Sequence, residues 1–290
     1  MSHGTAEASS HSLTEGFATL ARAAARVRAD ADPDAIHDAR VAARRLSARL
    51  DFWRPLLNGR DARRARRRAR RLRRALGFAR GIEVVLESLP RLAPELPPAA
   101  REALATWQLE LERERPAIAA AAAAVVTPRR LDRIHNAIAD ATEGLGERAQ
   151  RATDLPAQLD RRVQRRAVRA RAALSIAFAA LDDAALHEAR IAIKGWRYAL
   201  ECAHEAERAA PAGEHRSHRA RTPRIESLRK LQLALGAIQD LAECRAALER
   251  RATLHTPPLR EVFEPLESAR AAAIERAVRC AGKLESASPD

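Results

Sequence analysis

Ile36-His37-Asp38-Ala39-Arg40-Val41-Ala42-Ala43-Arg44-Arg45-Leu46, running on to Leu50, has a near copy in the same chain, Leu186-His187-Glu188-Ala189-Arg190-Ile191-Ala192-Ile193-Lys194-Gly195-Trp196, running on to Leu200. The copies start 150 positions apart, in a chain of 290 residues. Each sets a His, an Arg and a further cation at the same offsets on the same apolar frame. On a helical wheel Leu186, Ala189, Ile193, Trp196 and Leu200 fall within an arc of about 80°, the spacing of a packed seam. His187, Arg190, Lys194 and Arg197 occupy a neighbouring arc of about 80°. In the first copy Ile36, Ala39, Ala43, Leu46, Leu50 and Trp53 form the seam, and His37, Arg40 and Arg44 the flank. Two such faces predict two similar halves that share an anion larger than one phosphate.

The rest of the chain agrees with this reading. Hydrophobic residues make up 47% and aromatics only 3%, with Ala, Leu, Arg and Glu dominant, which is the composition of packed helices rather than of a β-protein. Periodicity near 3.6 predicts helices over 13–28, 34–57, 60–76, 82–89, 99–126, 128–145, 157–181, 183–205, 223–235, 237–254 and 259–283. Asp32-Pro33-Asp34 and Asp182-Asp183 are capping signals, and Pro116 is expected to kink or break its helix. Residues 209–221, with Pro211, Gly213 and two histidines, read as a loop. The segment between Gly144 and Pro156 reads as the boundary between a first helical half (13–150) and a second (151–284). Residues 1–12 and 285–290 read as disordered ends. The fold expected is all-α: two pseudo-symmetric helical bundles from an internal duplication, around a central basic groove or pore.

The formal net charge is +14, carried by 49 Arg and three Lys against 38 acids. A GC-rich coding sequence accounts for the Arg-for-Lys bias, so the placement of the charges carries the argument. Nine arginines crowd positions 63–74, yet Ala62, Ala65, Ala69, Leu72 and Leu76 still trace a seam through them. Like charges at i,i+4 repel, and a bound polyanion relieves that repulsion. Arg67, Arg70, Arg71 and Arg74 are the binding residues expected here. A weaker repeat aligns Leu72–Gly77 with Leu231–Gly236 and sets Arg70 and Arg71 opposite Arg229 and Lys230. A third basic stretch, from Arg161 to Arg171, has Val163, Ala167, Ala170 and Leu174 as its stripe and Arg162, Arg166 and Arg169 on one flank.

Other chemistries find little support. The three cysteines are scattered, with no C-x-x-C, and predict a reducing compartment rather than a disulfide framework. No His or Cys pattern has metal-ligand spacing, no phosphate loop or nucleophile-elbow motif is present, and no cofactor is expected. A histidine among cations is disfavoured in its charged form. His37 and His187 are therefore expected as neutral hydrogen-bond donors or packed residues rather than phosphoacceptors. The polar N-terminal segment lacks an apolar h-region and no run approaches a membrane span, which predicts a soluble, cytoplasmic protein.

These residues resemble the CHAD family, helical domains named for a characteristic histidine. Its signature is a His followed by Arg at +3, Arg or Lys at +7, Arg at +10 and Tyr at +11. His187, Arg190, Lys194, Arg197 and Tyr198 match all five positions, and Glu201 fits the usual ending. In the first half His37, Arg40, Arg44 and Arg45 match, but Ser47 stands at +10. A later L-G-x-x-x-D element is met by Leu235 to Asp240, whereas its earlier counterpart, Leu76 to Gly81, ends in Gly. The resemblance covers about residues 13–284. It implies basic helices lining a groove or pore that binds inorganic polyphosphate, and association with polyphosphate granules. The triphosphatase domain fused to some relatives has no counterpart here, so a non-catalytic binding role is expected. Two alternatives stand beside it. A basic helical nucleic-acid binder fits the charge, but few aromatics remain for base stacking. A phosphate-transferring enzyme built on His187 lacks an acid, base or metal partner.

Overall fold

The structure, a computed structural model, describes residues 2–30, 32–152, 154–208, 218–252 and 257–286. Every regular element among the described residues is helical. In chain order they are α1 (Ser2–Ala29), α2 (Pro33–Phe52), α3 (Gly59–Ala75), α4 (Gly77–Leu92), α5 (Pro98–Val125), α6 (Pro128–Thr142), α7 (Leu145–Arg151), α8 (Leu155–Ala180), α9 (Asp183–Arg208), α10 (His218–Ala252) and α11 (Phe263–Ser286). Single 3-10 turns follow α2 and α4, and a longer one, Pro257–Val262, precedes α11.

The two copies of the repeat are α2 and α9, and both begin in the same way. Asp32 accepts a hydrogen bond from the Ala35 amide at 2.6 Å, and Asp182 from the Ala185 amide at 2.7 Å. Each cap satisfies one orphan amide of the first turn and lies five residues before its histidine. All eleven seam positions assigned to the two copies are buried. The seams of α3 and α8 are buried too, from Ala62 to Leu76 and from Val163 to Leu174.

Packing runs in the same order through both halves. α1 packs on α2 and α8 on α9, α2 on α3 and α9 on α10, α4 on α5 and α10 on α11. The halves meet where α2 crosses α9 and where α4 packs on α10. One apolar core therefore runs across both halves, from Ala6 to Leu284. A second cluster joins α4 and α5 to α10 and the turn before α11. The stretch read as a boundary forms α7, which packs on α1, and Gly144 reaches it through a left-handed turn (φ 66°) that glycine adopts without strain.

Several expectations are corrected. Residues 1–12, read as disordered, belong largely to α1: Ala6, Ala8, Ser9 and Ser12 are buried, and the Ser12 hydroxyl donates to Glu205 of α9 at 2.7 Å. Small residues at those positions carry little hydrophobic signal, so the sequence reads as polar. Pro116 does not break α5, because the surrounding turn faces solvent and the carbonyl freed by the missing amide stays hydrated. Gly236 does not split α10 either. A single helical glycine costs only about 1 kcal/mol, which burial of Leu231, Leu235 and Ile238 outweighs. Of the loop expected over 209–221, residues 218–221 belong to α10 and 209–217 lie outside the described residues. At the other end α11 runs to Ser286, and residues 287–290 also lie outside them. Among the described residues no helix is long and apolar enough to cross a membrane.

Deletion of residues 1–12 tests the first correction. It removes the Ser12–Glu205 bond and small-residue burial worth about 3 kcal/mol together. Thermal melts should show a fall in Tm of about 5–10 °C. An unchanged Tm would restore the disordered reading.

Candidate anion-binding site

The crossing of α2 and α9 decides where the cations go. Each helix buries its seam, so the flank beside the seam is carried against the partner helix instead of into open solvent. Lys194 and Arg197, expected on the border of the seam, are themselves buried, at 8% and 5% exposure. Arg44 of α2 and Arg190 and Arg197 of α9 surround Lys194, and Asp240 of α10 opposes them. Burial first, then those three guanidiniums, push the Lys194 ammonium down to about 6. Arg197 bonds to Glu201 at 3.4 Å and lies over the Tyr198 ring, 4.8 Å from its centroid. Its Nε is buried and meets no acceptor among the described residues.

The cationic surface continues from this centre in two directions. On one side is α3, where Arg73 has its pKa lowered by burial and by Arg44, Arg70 and Arg74. Arg70 is lowered by burial and by Arg66 and Arg74, with Asp51 acting the other way. On the other side is α8, where Arg162 is lowered by burial and by Arg166, Arg54 and Arg165. Asp51, near the end of α2, stitches the strands of charge together. One carboxylate oxygen is 3.3 Å from the Arg66 guanidinium, the other pairs with Arg166, and the Asp51 carbonyl accepts from Arg162. Gly195 makes room for this junction, since a Cβ there would lie 2.9 Å from the Arg166 guanidinium. The result is a band from Arg162 and Arg166 through Asp51 to Arg66, Arg70, Arg73 and Arg74, and on to Arg44, Lys194, Arg190 and Arg197.

A chain-length match over most of the protein decides the family. The family model described as CHAD domain matches residues 11–249. The chain belongs to the CHAD domain family. The fold is that of solved relatives. A crystal structure of the CHAD domain from the plant Ricinus communis superposes with a TM-score of 0.58 at 21% identity, covering 97% of this chain and 89% of that one. PptA from Streptomyces chartreusis does so at 0.61 and 19% identity, covering 97% and 98%. No protein of curated function matches the chain.

Within this CHAD domain the residues singled out from sequence divide into three groups. Arg44, Arg70, Arg74, Arg162, Arg166, Arg190, Lys194 and Arg197 lie in the band, and Arg40 and His187 border it. Arg45 and Tyr198 instead line a separate cavity of about 170 Å³ with Arg49, Cys202 and the acids Glu201 and Glu205. Arg67 and Arg71 point outward from α3, and Lys230 is exposed on α10. Arg229 shares a face of α10 with Gly236 and Asp240, but its guanidinium is held by Glu226 at 2.8 and 3.0 Å. Sequence reasoning missed Arg66, Arg73, Arg54 and Asp51. It weighed α3 as a run of like charges, although the seam already marks Arg66 and Arg73 as the flank nearest α2. The opposite flank belongs to α6, where Arg64 pairs with Asp61 and Asp140 and Arg68 donates to the Arg133 carbonyl.

The two histidines have different surroundings. His187 Nδ1 is 2.7 Å from the Gln239 side-chain oxygen, while the Gln239 amide nitrogen faces Glu243 at 3.5 Å. An amide oxygen only accepts, so Nδ1 carries the hydrogen of this contact. A hydrogen bond from His187 to phosphate would have to come from Nε2. His37 shares its cleft with Asp34, Glu83 and Glu87, which disfavours an anion there. Among the described residues no group of three or more His, Cys, Asp or Glu is placed to hold a metal ion.

The lowered Lys194 pKa has a consequence for stability. Between about pH 6 and the range of an unfolded lysine, near 10.4, the unfolded chain binds the extra proton, so stability increases with pH across that window. Melts at low salt should show Tm rising from pH 6 to 8 more steeply in the wild type than in Lys194→Met. Parallel curves for the two proteins would show that Lys194 is charged in the folded state.

Proposed function

We propose that this CHAD domain binds inorganic polyphosphate along the band, without turning it over, and that it does so in the cytoplasm at polyphosphate granules. The observation that carries the reading is the buried centre of the band. Three guanidiniums from two helices, Arg44, Arg190 and Arg197, are packed around the Lys194 amine, with Asp240 and Glu201 opposing them, and the seams of α2 and α9 hold them there. Such a cluster costs folding energy unless an anion completes it. Guanidiniums fixed by packing bind phosphate oxygens more strongly than mobile surface cations do, and the buried Nε donors of Arg162 and Arg197 offer further hydrogen bonds. The band extends over α3, α2, α9 and α8, so the ligand is a chain of anionic groups rather than a single phosphate. The family resemblance supplies the polyphosphate.

Binding rather than catalysis is proposed because the carboxylates at the band face its cations: Asp51 pairs with Arg66 and Arg166, and Glu201 with Arg197. His187 is committed to Gln239. A nucleic acid fits the charge but gains little else: the aromatic residues Phe52, Trp53, Trp196 and Tyr198 of α2, its C-cap and α9 are buried, which leaves those helices no platform for stacked bases.

Competition between polyphosphate and duplex DNA or RNA of matched charge tests the reading, with product analysis for hydrolysis. Polyphosphate should win and remain intact. For six to eight displaced counterions the slope of log K against log salt should be about −4 to −6. A flat salt dependence, or preferred binding of nucleic acid, would refute the proposal.

Single charge reversals test the path across α3. Arg70→Glu should weaken polyphosphate binding by about tenfold, and Arg71→Glu, roughly 100° further round the helix, by less than about threefold. Both side chains are exposed, so circular dichroism should stay helical. Equal losses would mean that the whole arginine helix acts as a diffuse field.

A further inference from the structure

Lys194 is one of three lysines in a chain with 49 arginines, and it stands at the centre of the band. Its side chain is buried at 8% exposure. Arg190 and Arg197 face it from its own helix, Arg44 from α2 and Asp240 from α10. Behind Arg44 lies Arg73 of α3, and Arg197 leans on Glu201. His187, on the same helix, is bonded to Gln239 of α10. An arginine in this position stays charged at any working pH. A lysine need not: burial first, then the three guanidiniums around it, lower its pKa to about 6, so the amine gives up its proton more readily than an exposed lysine.

A polyanion lying against Arg44 and Arg190 reverses the field at this amine. The neighbours that expelled the proton become neutralised, and a phosphate oxygen becomes a partner for the ammonium. We propose that polyanion binding at this cluster is coupled to uptake of one proton by Lys194, which makes the site release its ligand as pH rises. The proposal rests on the polyphosphate reading and adds a control to it. The amine takes its proton from solvent, and no covalent bond to the ligand forms or breaks. The sign follows from linkage. The bound state holds one more proton than the free state, so affinity falls with rising pH between the free and bound pKa values, by up to tenfold per pH unit. Below the free value both states are charged and the dependence vanishes.

The test uses the full chain labelled with carbon-13 at lysine Cε, which yields three signals, that of Lys194 assigned by its loss in Lys194→Arg. In the free protein the Lys194 signal should titrate between about pH 5 and 7, and long-chain polyphosphate should raise its midpoint by two units or more. Long chains keep terminal phosphates, which titrate near pH 6, a negligible part of the ligand. Calorimetry at pH 7.5 in buffers of different ionisation enthalpy should show uptake of about one proton per site. Lys194→Arg should bind but lose that uptake, and His187→Asn should keep it. If Lys194→Arg does not fold, Lys230→Arg and Lys283→Arg each remove one of the other two signals and so assign that of Lys194, and the wild-type titration decides. Tight binding together with a free Lys194 that titrates above pH 9, or the same proton uptake in Lys194→Arg, overturns the coupling and leaves the polyphosphate reading intact. Absence of binding heat, with all three signals unmoved by polyphosphate, refutes that reading and the coupling with it.

Discussion

The crossing of α2 over α9 is the constraint on which the rest of the molecule depends. Both helices bury a complete apolar seam, anchored by Trp53 on one and Trp196 on the other. Cations one step round from those seams have no freedom to move apart. Hydrophobic burial of a large side chain contributes about 1.5–3 kcal/mol, and eleven seam positions contribute together. Repulsion among a few partly screened guanidiniums is the weaker effect. The core therefore forces Arg44, Arg190, Lys194 and Arg197 into one place, where burial and the three guanidiniums lower the Lys194 pKa.

Asp51 shows how the fold limits that cost. It lies at the C-terminal end of α2, where a carboxylate is not favoured by the helix dipole, and it reaches arginines of both α3 and α8. These contacts tie the first half to the second through charge, as the α2–α9 and α4–α10 contacts do through apolar packing. The acid is placed to hold the cations in line without neutralising the whole band.

The repeated motif has two different outcomes. At +10 the second half has Arg197, buried against Tyr198; the first has Ser47, whose hydroxyl turns back to the Ala43 carbonyl at 2.8 Å. α10 carries Leu235 to Asp240 on one unbroken helix and sets Asp240 beside Lys194, whereas the corresponding Leu76–Gly77 is where α3 ends and α4 begins. His187 borders the cationic centre, and His37 shares its cleft with carboxylates.

Periodicity by itself determined that the chain is helical, which faces are apolar, and where Asp32 and Asp182 start the two equivalent helices. Those properties depend on neighbours within a few turns, and side chains at i, i+3 and i+4 report them directly. The family motif was equally legible around His187. What only the tertiary structure decided is which cations are brought together. Arg66 and Arg73 joined the band because α2 covers that flank of α3, while α6 covers the other. Arg229 is held by a neighbouring acid despite its favourable face. The Lys194 pKa is set by burial and by residues 150 positions before it and forty-six after it in the chain, Arg44 lowering it and Asp240 raising it. Burial, field and hydrogen-bond direction at these groups are sums over several helices, and no local window of sequence contains the terms.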